Sequence, residues 1–313
     1  MDSPLAVVSP GADAGTIATR VLRLQIGLPA EDEFSVVLSW LGRCRLVHKL
    51  DQVQSPPESR DYIRVPDLLA VFDYHGRDVP VLIEVKSSID KTLSWRPDFR
   101  DALQRYADTM NLPLLIAWRH RTFWALFEAK HLTRATTNFN IEFGEAMKNT
   151  LMSELAGDFT FSLRPGCGLH FKIRKLSEEM AEGRIHGRIE EVYWTNGDGE
   201  RVKNPRGVYP LFLCLEQDSI LAEDSDLMTQ SFVIPEDRNS EFAHRALVTL
   251  LRFSAKTDDV HWRQMLEKAE LPPLAKDGLR KAARHALEAG FLQYGGDIQP
   301  VAMPEFLARS VAV

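Results

Sequence analysis

At 313 residues the chain has room for two or three domains with cores of their own. Its three cysteines, Cys44, Cys167 and Cys214, are odd in number and widely spaced, which excludes a disulfide framework and suits an intracellular chain with free thiols. The formal net charge of −6 gives no global attraction to nucleic acid, so any such affinity must come from local basic patches.

The opening stretch has neither the basic start nor the apolar run of a signal peptide, and no segment has the apolar length of a membrane span. A soluble cytoplasmic protein is expected. Residues 1–20, rich in Ser, Pro, Gly and Ala, read as a flexible leader. Residues 31–42 place Phe34, Val37, Leu38 and Leu41 at helical spacing, with acidic residues in the first turn where the helix dipole favours them.

A short strand is expected around Leu46 and Val47. The runs 65–74 and 79–87 are rich in β-branched and aromatic residues, and the connection His75 to Asp78 joins them as a hairpin. Pro97 then opens a helix to Met110 with Phe99, Leu103, Tyr106, Ala107 and Met110 on one face. The apolar run 112–118 reads as a strand covered on both faces, with 122–127 beside it.

From about 156 to 237 short strand-like pieces predict a β-rich module: a hairpin turning at Asn196 to Glu200, a buried strand over 208–215 and an acidic loop over 216–226. Residues 238–313 predict three helices, 242–253, 260–269 and 275–290, followed by a Gly-Gly turn between strand-like residues, the pattern of a winged helix. His186 and His261 read as structural. The gap between Cys167 and His170 suits a ligand pair, but with no second pair nearby it does not make a zinc site.

The chemistry concentrates in the hairpin. Side chains alternate along a strand, so Glu84 and Lys86 share one face while Val81, Ile83 and Val85 share the other. Charges on an otherwise buried strand are costly unless paired, metal-bound or open to a cleft. An antiparallel hairpin brings Asp67, at the start of the first strand, beside the end of the second. Two converging carboxylates repel, and a hard divalent cation relieves that conflict, with the Val85 carbonyl as a further ligand. Such an ion suits phosphodiester hydrolysis, with a nearby Lys assisting the nucleophile.

Pro66-Asp67 and Glu84-Val85-Lys86 together resemble the motif of the PD-(D/E)xK nuclease superfamily. The resemblance implies a restriction-endonuclease-like α/β domain over 21–155, a mixed sheet flanked by helices, in which Asp67 and Glu84 bind Mg²⁺, or Mn²⁺ in its place, and Lys86 is catalytic. It also implies an acid on the first helix, Glu33 before Glu31, and a Gln on the following helix, met by Gln104. Pro97-Asp98 with Glu128-Ala129-Lys130 satisfies the same letters, but Pro97-Asp98 opens a helix, so strand context favours the first match. The run EVKSS is similar to that of archaeal-type Holliday-junction resolvases, although two serines do not define a subfamily. A nuclease core joined to a winged helix is similar in architecture to the endonuclease subunit of heteromeric Tn-type transposases, from which the β-rich segment departs.

Candidate nucleic-acid contacts are Arg100, which shares a face with Gln104, the basic turn at Arg119 and Arg121, and the stripe Lys276, Arg280, Arg284 on the last helix. A solvated helix face is an equal reading of that stripe. The expected activity is Mg²⁺-dependent hydrolysis of DNA, double-stranded by preference. Cleaving both strands needs two sites, which a homodimer or a partner protein would supply. The alternatives are a nuclease acting on RNA or branched DNA, and a non-catalytic DNA-binding or adaptor protein working through the winged helix.

Overall fold

The computed structural model describes residues 30–308 apart from 53–55, 177–186, 204, 206–207, 237–239 and 256–278. The leader, the helix expected over 260–269, Lys276, His186 and His261 lie outside the described residues.

The first helix, α1 (30–41), buries Phe34, Val37, Leu38 and Leu41, the stripe its spacing predicts. Strands β1 (Cys44–Lys49), β2 (Leu68–Tyr74) and β3 (Arg77–Ser88) follow as an antiparallel meander. The β2–β3 connection is tighter than expected, because Tyr74 already pairs with Arg77. His75 and Gly76 turn it with φ of 51° and 81°, the left-handed pair that a two-residue type I′ hairpin requires.

Strand β4 (Thr92–Trp95) leads into α2 (Pro97–Met110), with Pro97 in its first turn. Asn111 ends α2 in the left-handed conformation, a common helix stop. Strand β5 (Leu114–His120) lies parallel to β3, and β6 (Phe123–Glu128) returns antiparallel. The resulting mixed sheet has the order β1-β2-β3-β5-β6. One face packs Val81, Ile83, Val85, Leu115 and Ala117 against α1; the other packs Leu82, Ile116 and Trp118 against Leu103 and Ala107 of α2.

Strands β7 (Thr133–Arg134) and β8 (Phe139–Glu142) join β4 in a small sheet of order β4-β8-β7, and the short α3 (Phe143–Lys148) follows. Strand β9 (Thr160–Leu163) comes next, then β10 (Gly168–Lys175), β11 (Gly187–Thr195) and β12 (Arg201–Val202). The turn between β11 and β12 is the predicted one, and the Asn196 side chain accepts the amides of Asp198 and Glu200.

Two expectations for this region fail. Residues expected as a buried strand form a helix, α4 (Val208–Leu213), with Val208, Leu211 and Phe212 buried at helical spacing. The acidic stretch is not a loop. It is β13 (Asp218–Asp224), an exposed edge strand where charge is tolerated, paired with β14 (Leu227–Val233) in a sheet of order β12-β11-β10-β14-β13.

The C-terminal part contains β15 (Glu241–Phe242), α5 (Ala243–Ala255), α6 (Leu279–Glu288), β16 (Leu292–Gly296) and α7 (Glu305–Ala308). The expected wing is absent among the described residues. Gly295-Gly296 does not turn a hairpin, because β16 pairs with β9, which has β15 on its other edge. The pairing residues for β16 come from far upstream, so nothing local in the chain marks them. No described helix is long and apolar enough to cross a membrane.

Candidate active site

The face of β3 that carries Leu82 and Glu84 turns toward α2. Burial leaves Glu84 only 2% exposed. Lys86, next on that face, donates to Glu84 Oε1 in a very short contact and to the Val85 carbonyl at 3.1 Å. Asp67, immediately before β2, accepts the Val85 amide on Oδ2 at 2.7 Å. The structure therefore brings Asp67, Glu84, Val85 and Lys86 together at the C-terminal end of β3.

Burial pushes the Glu84 carboxyl up to about 7, with Asp67 adding to the shift and Lys86 opposing it. Burial acts against the charge on Lys86, but Glu84 and Asp67 outweigh it, so its pKa lies above the ordinary lysine value. Desolvation thus favours the neutral form of the acid, while the neighbouring carboxylates favour the ammonium beside it. Glu84 Oε2 is buried without a hydrogen-bond partner. A carboxylate oxygen left bare in this way suits a ligand that arrives from the cleft.

That cleft, about 740 Å³, is lined by Glu31, Asp67, Val85, Lys86, Phe99 and Trp95, among others. Glu31 is the acid of the first helix that reaches it. Its pKa is raised by burial and then by Asp67, which places the two carboxylates within each other's field. Glu33, the first choice from sequence, points elsewhere: it accepts from Arg119 at 2.7 Å and from the Trp124 indole at 3.1 Å, inside the core.

The remaining candidates are dispersed. Gln104 donates to Asp108 one turn along α2 and does not line the cleft. Arg119 is held by Glu33 and donates to Ser87, whose side chain borders the cleft. Arg121 sits exposed in the β5–β6 turn with φ of 58°. Arg280 is a clamp rather than a free cation, because it donates to the carbonyls of Gly157 and Asp158 and to Asp297. Arg284 is exposed on α6. Cys167 and His170 have separate partners, the Phe291 carbonyl for one and Ser231 and Thr195 for the other.

Sequence reasoning missed Arg64, whose guanidinium lies 4.6 Å from the Phe99 ring centroid and whose charge lowers the Glu84 pKa. It lies three residues before Asp67, a spacing that carries no periodic signal.

Among the described residues no group of three or more His, Cys, Asp or Glu side chains is gathered closely enough to hold a metal unaided. Mg²⁺ does not require one, since it keeps several waters and takes one or two carboxylates. Asp67, the bare Glu84 oxygen and the Val85 carbonyl are all oxygen donors and fit that ion.

No family model matches the chain, and no curated protein does. Among solved structures it is similar to Hjc, a Holliday junction resolvase from the archaeal hyperthermophile Archaeoglobus fulgidus. The match has 24% identity and a TM-score of 0.31, over 38% of this chain and 89% of that one. A likeness at that TM-score adds nothing to the geometry.

Proposed function

We propose that this protein is a Mg²⁺-dependent nuclease that hydrolyses phosphodiester bonds, with DNA as its substrate. The observation that carries the reading is the buried, unpartnered Oε2 of Glu84, next to Lys86, which with Asp67 lines one cleft. Asp67, Glu84 and the Val85 carbonyl would hold the ion. When bound, it would neutralise phosphate charge and lower the pKa of a water.

The protein's own part is positioning. The Val85 amide fixes the Asp67 carboxylate, so that acid cannot swing away from Glu84. Lys86 keeps an ammonium between Glu84 and the cleft, where it stabilises negative charge on an attacking water or on the phosphate. Glu31, which lines the same cleft, would accept a proton or orient water.

Incubation with plasmid, linear and single-stranded DNA and with RNA, in Mg²⁺ or Mn²⁺, tests the reading beside Asp67→Ala and Lys86→Ala. Cleavage by the wild type alone is expected. Equal cleavage by all three proteins would remove the site assignment, and preferential cleavage of RNA would replace the substrate.

A further inference from the structure

Outward from the cleft, α2 and the small sheet carry aromatic rings with cations seated on them. Phe99 has the Arg64 guanidinium 4.6 Å from its centroid and Lys86 Nζ at 5.3 Å. Trp95 meets Phe99 edge-on at 5.0 Å and pairs across the sheet with Phe139. Phe139 in turn has Arg100 at 4.4 Å and Arg134 at 5.8 Å. Ring contacts and strand pairing thus connect Lys86, at the reacting end, to Arg134 on the outer strand β7.

Stacking on a ring fixes a guanidinium without using its N–H donors. Arg64 and Arg134 are exposed, and among the described residues neither side chain makes an ion pair or donates a hydrogen bond. Arg96 and Arg100 each share one carboxylate, Asp98 and Asp101, at 3.2 Å. In a chain of net charge −6, this row of held cations calls for an anionic partner with repeated charge. Each of the two phenylalanine rings already carries two cations, so bases have no evident face to stack on.

We propose that the ridge formed by Arg64, Phe99, Arg100, Phe139 and Arg134 holds the phosphates of the nucleic-acid strand leaving the cleft, as sequence-independent backbone contacts. This deepens the nuclease reading and rests on it. Preorganised guanidinium forks match phosphate geometry, and their prior immobilisation reduces the entropy lost on binding.

Fluorescence anisotropy in EDTA, over a range of salt, tests the ridge with labelled oligonucleotides of unrelated sequence, long enough to extend beyond the cleft or short enough to fill it alone. The double variant Arg64→Ala/Arg134→Ala is expected to bind the long strands roughly tenfold more weakly, with a log–log salt slope shallower by about 0.7 for each phosphate no longer neutralised. Short strands should bind it as they bind the wild type, and Arg64→Lys/Arg134→Lys should restore most of the slope. Unchanged affinity and slope on long strands would overturn the ridge, as would a wild type that binds none. Cleavage in Mg²⁺ is read separately. A cutting wild type whose double variant binds unchanged keeps the nuclease and loses the ridge, whereas ridge-dependent binding without cutting keeps the ridge and loses the nuclease.

Discussion

Asp67 accepts the amide proton of Val85 at 2.7 Å, which ties the acid at the start of one strand to the residue between Glu84 and Lys86 on the next. Asp67→Asn keeps an acceptor for that amide and removes the charge. It should leave the melting temperature within a few degrees of wild type while turnover falls by roughly 10²-fold or more. Single-turnover cleavage and thermal melting, measured on the same preparation, check the pair of outcomes. A variant that melts much lower would make Asp67 a structural residue.

Glu84 gives a pH dependence whose sign is fixed by its raised pKa. The folded state holds this proton more tightly than the unfolded chain, whose carboxyl titrates near 4.5. Stability without divalent ions should therefore decline as pH rises from about 4.5 through about 7, by up to about 3 kcal/mol from this group. Urea titrations in EDTA, wild type against Glu84→Gln, should show a gap that varies across that window. Ion binding should strengthen over the same range, because it requires the ionised acid.

Glu31 and Glu33 of α1 should separate in opposite directions. Glu33 neutralises Arg119 and accepts the Trp124 indole, so Glu33→Ala is expected to destabilise by about 3 kcal/mol through the unpaired cation it leaves. Glu31→Ala should fold normally and cut slowly. Chemical denaturation and cleavage rates on both variants decide it, and a stable, inactive Glu33→Ala would reverse the assignment.

His244 is fully buried, with Nδ1 2.6 Å from Asp158 and Nε2 accepting the Trp124 amide at 3.1 Å. Accepting on Nε2 requires the proton on Nδ1, where Asp158 takes it. His244→Ala strands both partners and should cost about 3 kcal/mol, with faster hydrogen exchange at the Trp124 amide. Unchanged exchange there would show that the pairing does not hold β6.

On α6, Arg280→Ala should lower stability without altering the salt dependence of DNA binding, since its donors already serve Gly157, Asp158 and Asp297. Arg284→Ala should leave stability unchanged within about 0.5 kcal/mol. Anisotropy titrations of both variants tell an anchoring arginine from one facing solvent.

The hairpin was legible in the sequence because a period of two residues assigns every side chain to a face, and a turn fixes which ends meet. The convergence of Asp67, Glu84 and Lys86 followed from that alone. The helix acid did not. Residues two apart on a helix project about 200° from each other, and only packing decides whether Glu31 or Glu33 faces the cleft. The apolar run at 208–213 supports either a helix or a strand until its partner Trp194, which meets Phe212 edge-on, is known. The basic stripe on the last helix reads from spacing as one surface, yet Arg280 turns inward to carbonyls more than a hundred residues upstream.

The core beside α1 also runs without a seam from Phe34 and Leu126 through Phe159 and Leu163 to Leu247, Ala286 and Phe291. A fragment ended near residue 155 would carry the acids and the lysine but expose the inner surface of its own sheet to water. Expressed by itself, such a fragment should aggregate, and any minimal catalytic piece of this protein has to retain sequence from its far end.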